Sequence, residues 1–343
     1  MARANRFART NNVCLVILAA VAVAVTLIYT KIILIPFVFA IFLYETASPL
    51  QKKLQNRFKC PSTLALVLTI GFFTSALLGL GFLVVTSVQE FISGAQDYRA
   101  RVILLSQEAI HFLISKGLEI DDTTLIKELT NLPVFSVARD ITGAVAAFVG
   151  NIVLTLVFFM FIITGDSVTS AEPPEILLEI NQKTSSYVVA KLVTSLISAV
   201  LVWIVLLIFG TELAFMFGLL AFLLNFIPNI GGVLVTVLPI PVLLMEFGLA
   251  WKFPVAVGII GLTQIFIGSF LEPRYLGESM DLHPAAVLIF LMFWGLIWGV
   301  PGMFLAVPIT AILKIILSKI EATKPLAELL AGRIENPRPA ESN

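Results

Sequence analysis

The chain contains few charged residues. Only 13% of its 343 residues are Asp, Glu, Lys or Arg, whereas 59% are hydrophobic. Soluble domains usually carry about 25% charged residues, so water alone is not the expected solvent of this chain. Lys plus Arg and Asp plus Glu number 22 each, which excludes a global basic field for nucleic acid. The composition therefore predicts an integral membrane protein whose partner is the lipid bilayer.

Motifs for metals, nucleotides and hydrolysis are also missing from the sequence. The two cysteines, Cys14 and Cys60, are too few and too differently placed for a disulfide framework or a metal site. No G-x-x-x-x-G-K-S/T loop occurs, so the chain is not expected to hydrolyse ATP. No H-E-x-x-H or G-x-S-x-G motif indicates a hydrolase. We therefore predict a protein that is not an enzyme and that has no cofactor, no catalytic residues and no metal.

Long apolar runs dominate the sequence instead. A helix of about 20 apolar residues crosses a hydrocarbon core of about 30 Å, and lipid requires the backbone to be helical. Six runs are long enough for one crossing each: residues 13–30, 32–50, 60–89, 141–165, 192–211 and 253–271. They predict an all-α, polytopic integral membrane protein.

Basic residues set the expected orientation and domain plan. Arg3, Arg6 and Arg9 in the N-terminal tail, and the basic loop 52–59, have no acid beside them, which places both in the bacterial cytoplasm. We divide the chain into a membrane region of three spans, an extracytoplasmic segment of amphipathic helices, a transport region and a tail, so that both termini face the cytoplasm of an inner membrane. The boundaries are 1–89, 90–140, 141–317 and 318–343. Residues 172–191 are predicted as a cytoplasmic surface helix, and the extracytoplasmic segment either shields its neighbours or recognises a solute.

Gly and Pro interrupt two further apolar stretches, 213–245 and 284–313. Arms of about 14 residues reach only about 21 Å at helical rise, so we expect two broken hairpins, the first entering from outside and the second from the cytoplasm. Helix ends left at bilayer depth would offer unpaired N–H and carbonyl groups to a solute. The alternative is that Gly and Pro only let helices kink and pack.

Polar and helix-breaking residues in these stretches form the candidate path. The predicted path residues are Asn225, Pro228, Asn229, Gly231, Gly232, Gln264, Pro301, Gly302 and Pro308. Gln264 could equally form an interhelical hydrogen bond. Glu272 and Arg274 flank Pro273, and we expect them to form an ion pair, a gate or an ion-coupling site, with a simple interfacial turn as the alternative.

Several motifs resemble the autoinducer-2 exporter family of permeases. The matching motifs are Ile35-Pro36-Phe37 with Pro49-Leu50, Asn225-Phe-Ile-Pro-Asn-Ile-Gly231, Leu271-Glu-Pro-Arg274 with Gly277, and Phe293-Trp-Gly295 followed by Pro301-Gly-Met and Val307-Pro308. The similarity covers nearly the whole chain and is most specific from residue 215 to 314. Residues Glu278, Asp281 and His283 depart from the pattern, and His283 is expected at the interface rather than on a metal.

The resemblance implies a secondary transporter that moves a small-molecule or ion substrate without ATP, in a homo-oligomer expected to be a pentamer. Export of a small polar solute such as autoinducer-2 is the leading hypothesis, because no acid is expected deep within a span. Sodium-proton antiport is the alternative. A third possibility is an oligomeric pore or a scaffold that transports nothing.

Overall fold

Every regular element in the described part of the chain is helical. The computed structural model describes residues 2–115, 134–166, 174–248, 250–276 and 281–333. The first helices are α1 (Ala2–Tyr29), α2 (Lys31–Phe58), α3 (Ser62–Ser115), α4 (Val134–Asp166) and α5 (Glu175–Phe209). Shorter helices follow: α6 (Ala214–Leu224), α7 (Ile230–Val237), α8 (Ile240–Phe247), α9 (Lys252–Phe266) and α10 (Glu272–Leu276), with a π-helical segment (Ile267–Leu271) between the last two. The chain continues through α11 (Pro284–Trp298), α12 (Val300–Ser318), a 3-10 turn (Glu321–Thr323) and α13 (Lys324–Leu330).

Seven of the described segments are long and apolar enough to cross a membrane. They are Lys31–Phe58, Ser62–Gly94, Gly143–Gly165, Glu175–Phe209, Ile230–Phe247, Lys252–Tyr275 and Val300–Ser318. The predicted spans after the first all coincide with one of these segments, and α1 covers the first. The all-α polytopic fold is therefore confirmed.

The second arms of both interrupted stretches are longer than expected. Each arm was expected to have about 14 residues, yet α7 and α8 follow each other with only Leu238 and Pro239 between them and together cover Ile230–Phe247. Pro241 lies in the first turn of α8, where a missing N–H leaves no helical bond unmade. Pro308 lies inside α12, which continues through it. Each second arm thus reaches membrane-spanning length.

Large apolar side chains face outward along these helices. Leu296 is 86% exposed, Ile208 77% and Phe161 74%. Exposed apolar area on this scale is unusual for a soluble monomer, whereas lipid tails are a favourable environment for it. The surface therefore agrees with a multi-pass membrane protein.

Two compact units divide the chain. Unit 1 comprises residues 1–66, 153–187 and 278–343, and unit 2 comprises 67–152 and 188–277. The apolar core of unit 2 lies between helices α5 to α9. It is formed by Val202, Leu206, Leu213, Ala214, Met216, Phe217, Ala221, Val235, Val242, Leu243, Ala256 and Ile260. In unit 1, Trp298 on α11 donates from its indole nitrogen to the carbonyl of Leu27 on α1 at 3.1 Å.

Part of the segment 90–140, which was predicted to be an extracytoplasmic segment of amphipathic helices, continues a membrane-length helix. Residues 90–115 continue α3 as one 54-residue helix, so there is no helix start after residue 89. Residues 134–140 begin α4, and 116–133 lie outside the described residues. The apolar run ends at residue 89, where charged residues begin, but the helix continues to Ser115.

Candidate functional site

A stripe of polar side chains runs along one face of α5 in unit 2. Lys191, Thr194, Ser195 and Ser198 are spaced by three, four and seven residues from the first, which places them on the same side of a helix. Each is at most 2% exposed. Since the rest of this part of α5 is apolar, the stripe presents hydrogen-bonding groups to the inside of the unit.

Lys191 is the charged member of the stripe. Its ammonium forms an ion pair with the Glu272 carboxylate and donates a hydrogen bond to the backbone carbonyl of Asn225 at 3.0 Å. The Lys191 side chain is 2% exposed and that of Glu272 is 20% exposed. A buried charge is tolerated only when it is paired and hydrogen-bonded, and both conditions hold here.

The π-helical segment explains the placement of Glu272. The backbone N–H of Glu272 donates to the carbonyl of Ile267, five residues back rather than four. Pro273 follows directly, and in a regular helix its ring would clash with the carbonyl of Ser269. The wider π turn relieves that clash and rotates the residues after it, as π-bulges at functional sites commonly do.

Asn225 ends α6 and connects the break to the stripe. Its carbonyl is one of the C-terminal carbonyls that the helix leaves without an internal partner, and Lys191 donates to it. Its side-chain amide nitrogen donates to the Ser195 hydroxyl at 3.1 Å. Asn225 is 5% exposed. The first break therefore opens onto the polar face of α5.

The chain turns tightly through the break. Asn229 adopts φ +60° and ψ −39°, and α7 begins at the next residue. A β-carbon on Gly231 would lie 2.9 Å from the carbonyl carbon of Leu224 and closer still to its oxygen, so only glycine fits where α7 starts against the end of α6. Gly231 is thus a close-approach position within the hairpin.

Gln264 on α9 completes the arrangement. Its side-chain nitrogen donates to the Ser198 hydroxyl at 3.0 Å, and its side chain is adjacent to Gly232, where a β-carbon would lie 3.5 Å from the β-carbon of Gln264. The group of buried side chains so assembled is called the polar seam. Its members are Lys191, Thr194, Ser195, Ser198, Asn225, Gln264 and Glu272.

Both ends of the first broken stretch meet. The backbone N–H of Glu212, just before α6, donates to the Glu246 carboxylate near the end of α8 at 3.1 Å. The stretch therefore returns to the level where it started, as expected for a hairpin. Its depth in the bilayer remains a prediction.

The second break, in unit 1, repeats this construction. A β-carbon on Gly302 would lie 2.9 Å from the β-carbon of Trp298 and closer still to the carbonyl oxygen of Trp294, so α12 starts against the end of α11. Pro301 lies in the first turn of α12 and Pro308 is buried within it. The indole nitrogen of Trp294 is buried and has no hydrogen-bond partner among the described residues.

An electrostatic cluster joins the ends of this second hairpin. The Lys314 ammonium contacts the Asp281 carboxylate and the Asp281 carbonyl, both at 2.6 Å, and Arg333 contacts the same carboxylate at 3.2 Å. His283 caps α11, because its Nδ1 accepts from the backbone N–H of Ala285 at 3.2 Å. Residues that depart from the family pattern thus bind the C-terminal segment in unit 1.

Two expectations about charged residues were wrong. Glu272 pairs with Lys191 rather than with Arg274, which is exposed. Lys191 was assigned to a surface helix that ended before a span, yet α5 is continuous from Glu175 and Lys191 is buried within unit 2. A charged residue at the edge of an apolar run is usually exposed to water, so the burial of Lys191 was not predicted. The spacing of Lys191 with the three hydroxyl residues was the signal that could have revealed it.

The predicted path residues fall into two groups. Asn225 and Gln264 belong to the polar seam of unit 2, together with Glu272 from the predicted gating pair, and Pro228, Asn229, Gly231 and Gly232 shape the break beside it. Pro301, Gly302 and Pro308 shape the second break in unit 1. Their part in a transport path remains a prediction.

Membrane-length helices, apolar outer faces and a buried polar seam beside a helix break define a multi-pass membrane transporter. A family model described as AI-2E family transporter matches residues 14–322. The chain belongs to this family, as its motifs predicted.

Known relatives are similar over most of their length. The chain is 28% identical over 309 residues to the AI-2 transport protein TqsA of Escherichia coli K12, covering 87% of this chain and 89% of that protein. It is also 28% identical over 353 residues to a Haemophilus influenzae protein that is named as a transport protein without a stated substrate. That alignment covers 94% of this chain and 94% of the relative. The similarity to YhhT of Escherichia coli K12 is 29% over 280 residues.

Proposed function

We propose that this transporter moves a small, oxygen-rich polar solute along the polar seam, without ATP hydrolysis or any other catalysis. The observation that carries the proposal is the concentration of buried polar side chains in the seam, which lies within membrane-length helices and beside a helix break. Asn225 donates to Ser195 and Gln264 donates to Ser198, and each of these side chains is at most 7% exposed. Polar and ionisable side chains inside membrane-spanning helices commonly mark the paths of substrates and ions, so the seam is the place where a solute would pass.

Autoinducer-2 is the first cargo to test. The relative TqsA is named as an AI-2 transport protein. A hydroxyl-rich solute both donates and accepts hydrogen bonds, as the side chains of the seam do. Lys191 occupies the Glu272 carboxylate, which argues against Glu272 as a free sodium ligand. Neutral cargo is therefore favoured over cation exchange.

The proposed setting is a bacterial cytoplasmic membrane with both termini in the cytoplasm, since the basic residues of the tail and of loop 52–59 favour that side. We also propose that the protein forms a homo-oligomer. The family resemblance implies that this oligomer is a pentamer. Native mass spectrometry in detergent would show it, and a monomer would contradict it.

Flux in proteoliposomes tests the proposed path. We expect Asn225→Leu and Ser195→Ala each to lower autoinducer-2 flux about tenfold, because a buried hydrogen bond contributes about 1–2 kcal/mol. Ser186→Ala is the matched control, since Ser186 is an exposed serine on the same helix. Wild-type flux equal to that of protein-free vesicles would contradict the transport proposal, and unsaturable flux would favour a pore. Unchanged flux in both seam variants would remove the seam from the path.

A further inference from the structure

We propose that the buried pair of Lys191 and Glu272 is the charge-selectivity element of the path. It keeps the polar seam electrically neutral and so restricts cargo to uncharged molecules rich in hydroxyl, ether or carbonyl oxygens. This inference rests on the proposed function and deepens it. It gives the pair a role in specificity as well as in folding.

Burial of the pair is the first observation. Glu179 and Lys183, a turn apart on the same helix, form an ordinary surface pair at 3.4 Å with side chains 37% and 32% exposed. Lys191 is 2% exposed, so its charge is hardly screened by water. Removing either partner would leave the seam with a net charge, whereas the intact pair sums to zero.

Free hydrogen-bonding capacity at Lys191 is the second observation. An ammonium has three N–H donors, and the described contacts use two of them, on Glu272 and on the Asn225 carbonyl. The third donor has no acceptor in the described part of the chain. An oxygen of the cargo would satisfy it.

The charge state decides which oxygen-bearing molecules are accepted. An ammonium whose charge is already balanced can donate to a neutral oxygen without attracting an anion. A unit charge left unpaired about 6 Å from a charged cargo changes the preference for that cargo about 100-fold at an effective dielectric constant of about 20. The pair therefore discriminates by charge, while Asn225 and Ser195 recognise hydroxyl groups.

A set of matched probes tests this assignment in proteoliposomes. Ribitol, ribonate and 1-amino-1-deoxyribitol have similar size and differ in charge. We expect the wild type to prefer ribitol, Glu272→Gln to shift preference about 100-fold toward ribonate, and Lys191→Met to shift it about 100-fold toward the amine. The double variant carries neither charge, so its preference should return to ribitol.

Control variants separate charge selectivity from a structural role. Lys183→Met with Glu179→Gln removes the surface pair from the same helix and should leave the preference unchanged. Asn225→Asp adds a charge while the pair remains, and it should favour the amine even if the single-charge variants fail to fold. A purely structural role for the pair would lower all three fluxes together and leave their ratios as in the wild type.

The outcomes distinguish this inference from the proposed function. Flux of ribitol in the wild type, with ratios that folded Glu272→Gln and Lys191→Met leave unchanged, would overturn the inference and leave transport intact. Flux of autoinducer-2 without any flux of ribitol would overturn the assignment of polyol-like cargo. Absence of both fluxes would refute the proposed function itself.

Discussion

Replacing Gly231 with alanine should severely destabilise the first hairpin. The new β-carbon would lie 2.9 Å from the carbonyl carbon of Leu224 and 3.2 Å from the α-carbon of Asn225. Carbon atoms in favourable contact lie about 3.5–4.0 Å apart, so α6 and α7 would have to separate by at least about 0.6 Å to relieve the contact with that carbonyl carbon, and by more to relieve the contact with its oxygen. Overpacking costs about 1–3 kcal/mol. We expect the upper end, about 3 kcal/mol, because backbone atoms cannot rotate away.

That cost corresponds to about a 150-fold loss in the ratio of folded to unfolded protein. The assay is the fraction of detergent-solubilised protein that remains monodisperse by size-exclusion chromatography after heating. Gly232→Ala is the matched control, because its β-carbon would lie 3.5 Å from that of Gln264, an ordinary contact. Equal heat stability of the two variants would refute the close approach of α6 and α7.

Three further outcomes are expected from other positions. Gly302→Ala should lower heat stability as Gly231→Ala does, because its β-carbon would meet the carbonyl of Trp294. Asn229→Gly should raise the free energy of unfolding by about 1 kcal/mol, because glycine adopts φ +60° without strain and no capping hydrogen bond is lost. The hydrogen bond from Lys314 holds the pKa of the Asp281 carboxyl below its usual value of 3.8. The ionised Asp281 therefore stabilises the fold fully above pH 3.8, and this stabilisation is lost as the pH falls through the lowered pKa. Asp281→Asn should abolish this acid-dependent loss in thermal unfolding, and an identical acid profile in both proteins would contradict it.

Local chemistry made the helices and the two breaks predictable from sequence. Long uncharged runs specify spans because lipid cannot satisfy the backbone, and Pro228 with Gly231 mark a place where a helix cannot continue. The sequence places Gly231 at the break between α6 and α7, but the close contact with Leu224 that requires glycine there is seen only in the fold. The second arms were underestimated because proline is tolerated in the first turn of a helix.

The partner of Glu272 could not be predicted from sequence in the same way. Lys191 lies 81 residues away along the chain, and nothing local links the two charges. Arg274 was the nearer candidate, but neighbours separated by two residues point to different sides of a helix. The π-helical segment also changes the direction of Glu272, and no simple hydrophobic period signals it. The pairing of Lys191 with Glu272 therefore depends on the tertiary fold and has no local signal in the sequence.

The length of α3 has a consequence for the parts of the chain attached to it. At 1.5 Å per residue this 54-residue helix is about 81 Å long, and its apolar part, Ser62–Gly94, accounts for only 33 residues. The other 21 residues form a rod of about 30 Å that ends at Ser115. The tip of this rod therefore lies beyond the apolar part by roughly the thickness of a second hydrocarbon core, so a thiol probe attached at Ser115 would report the aqueous phase on one side alone.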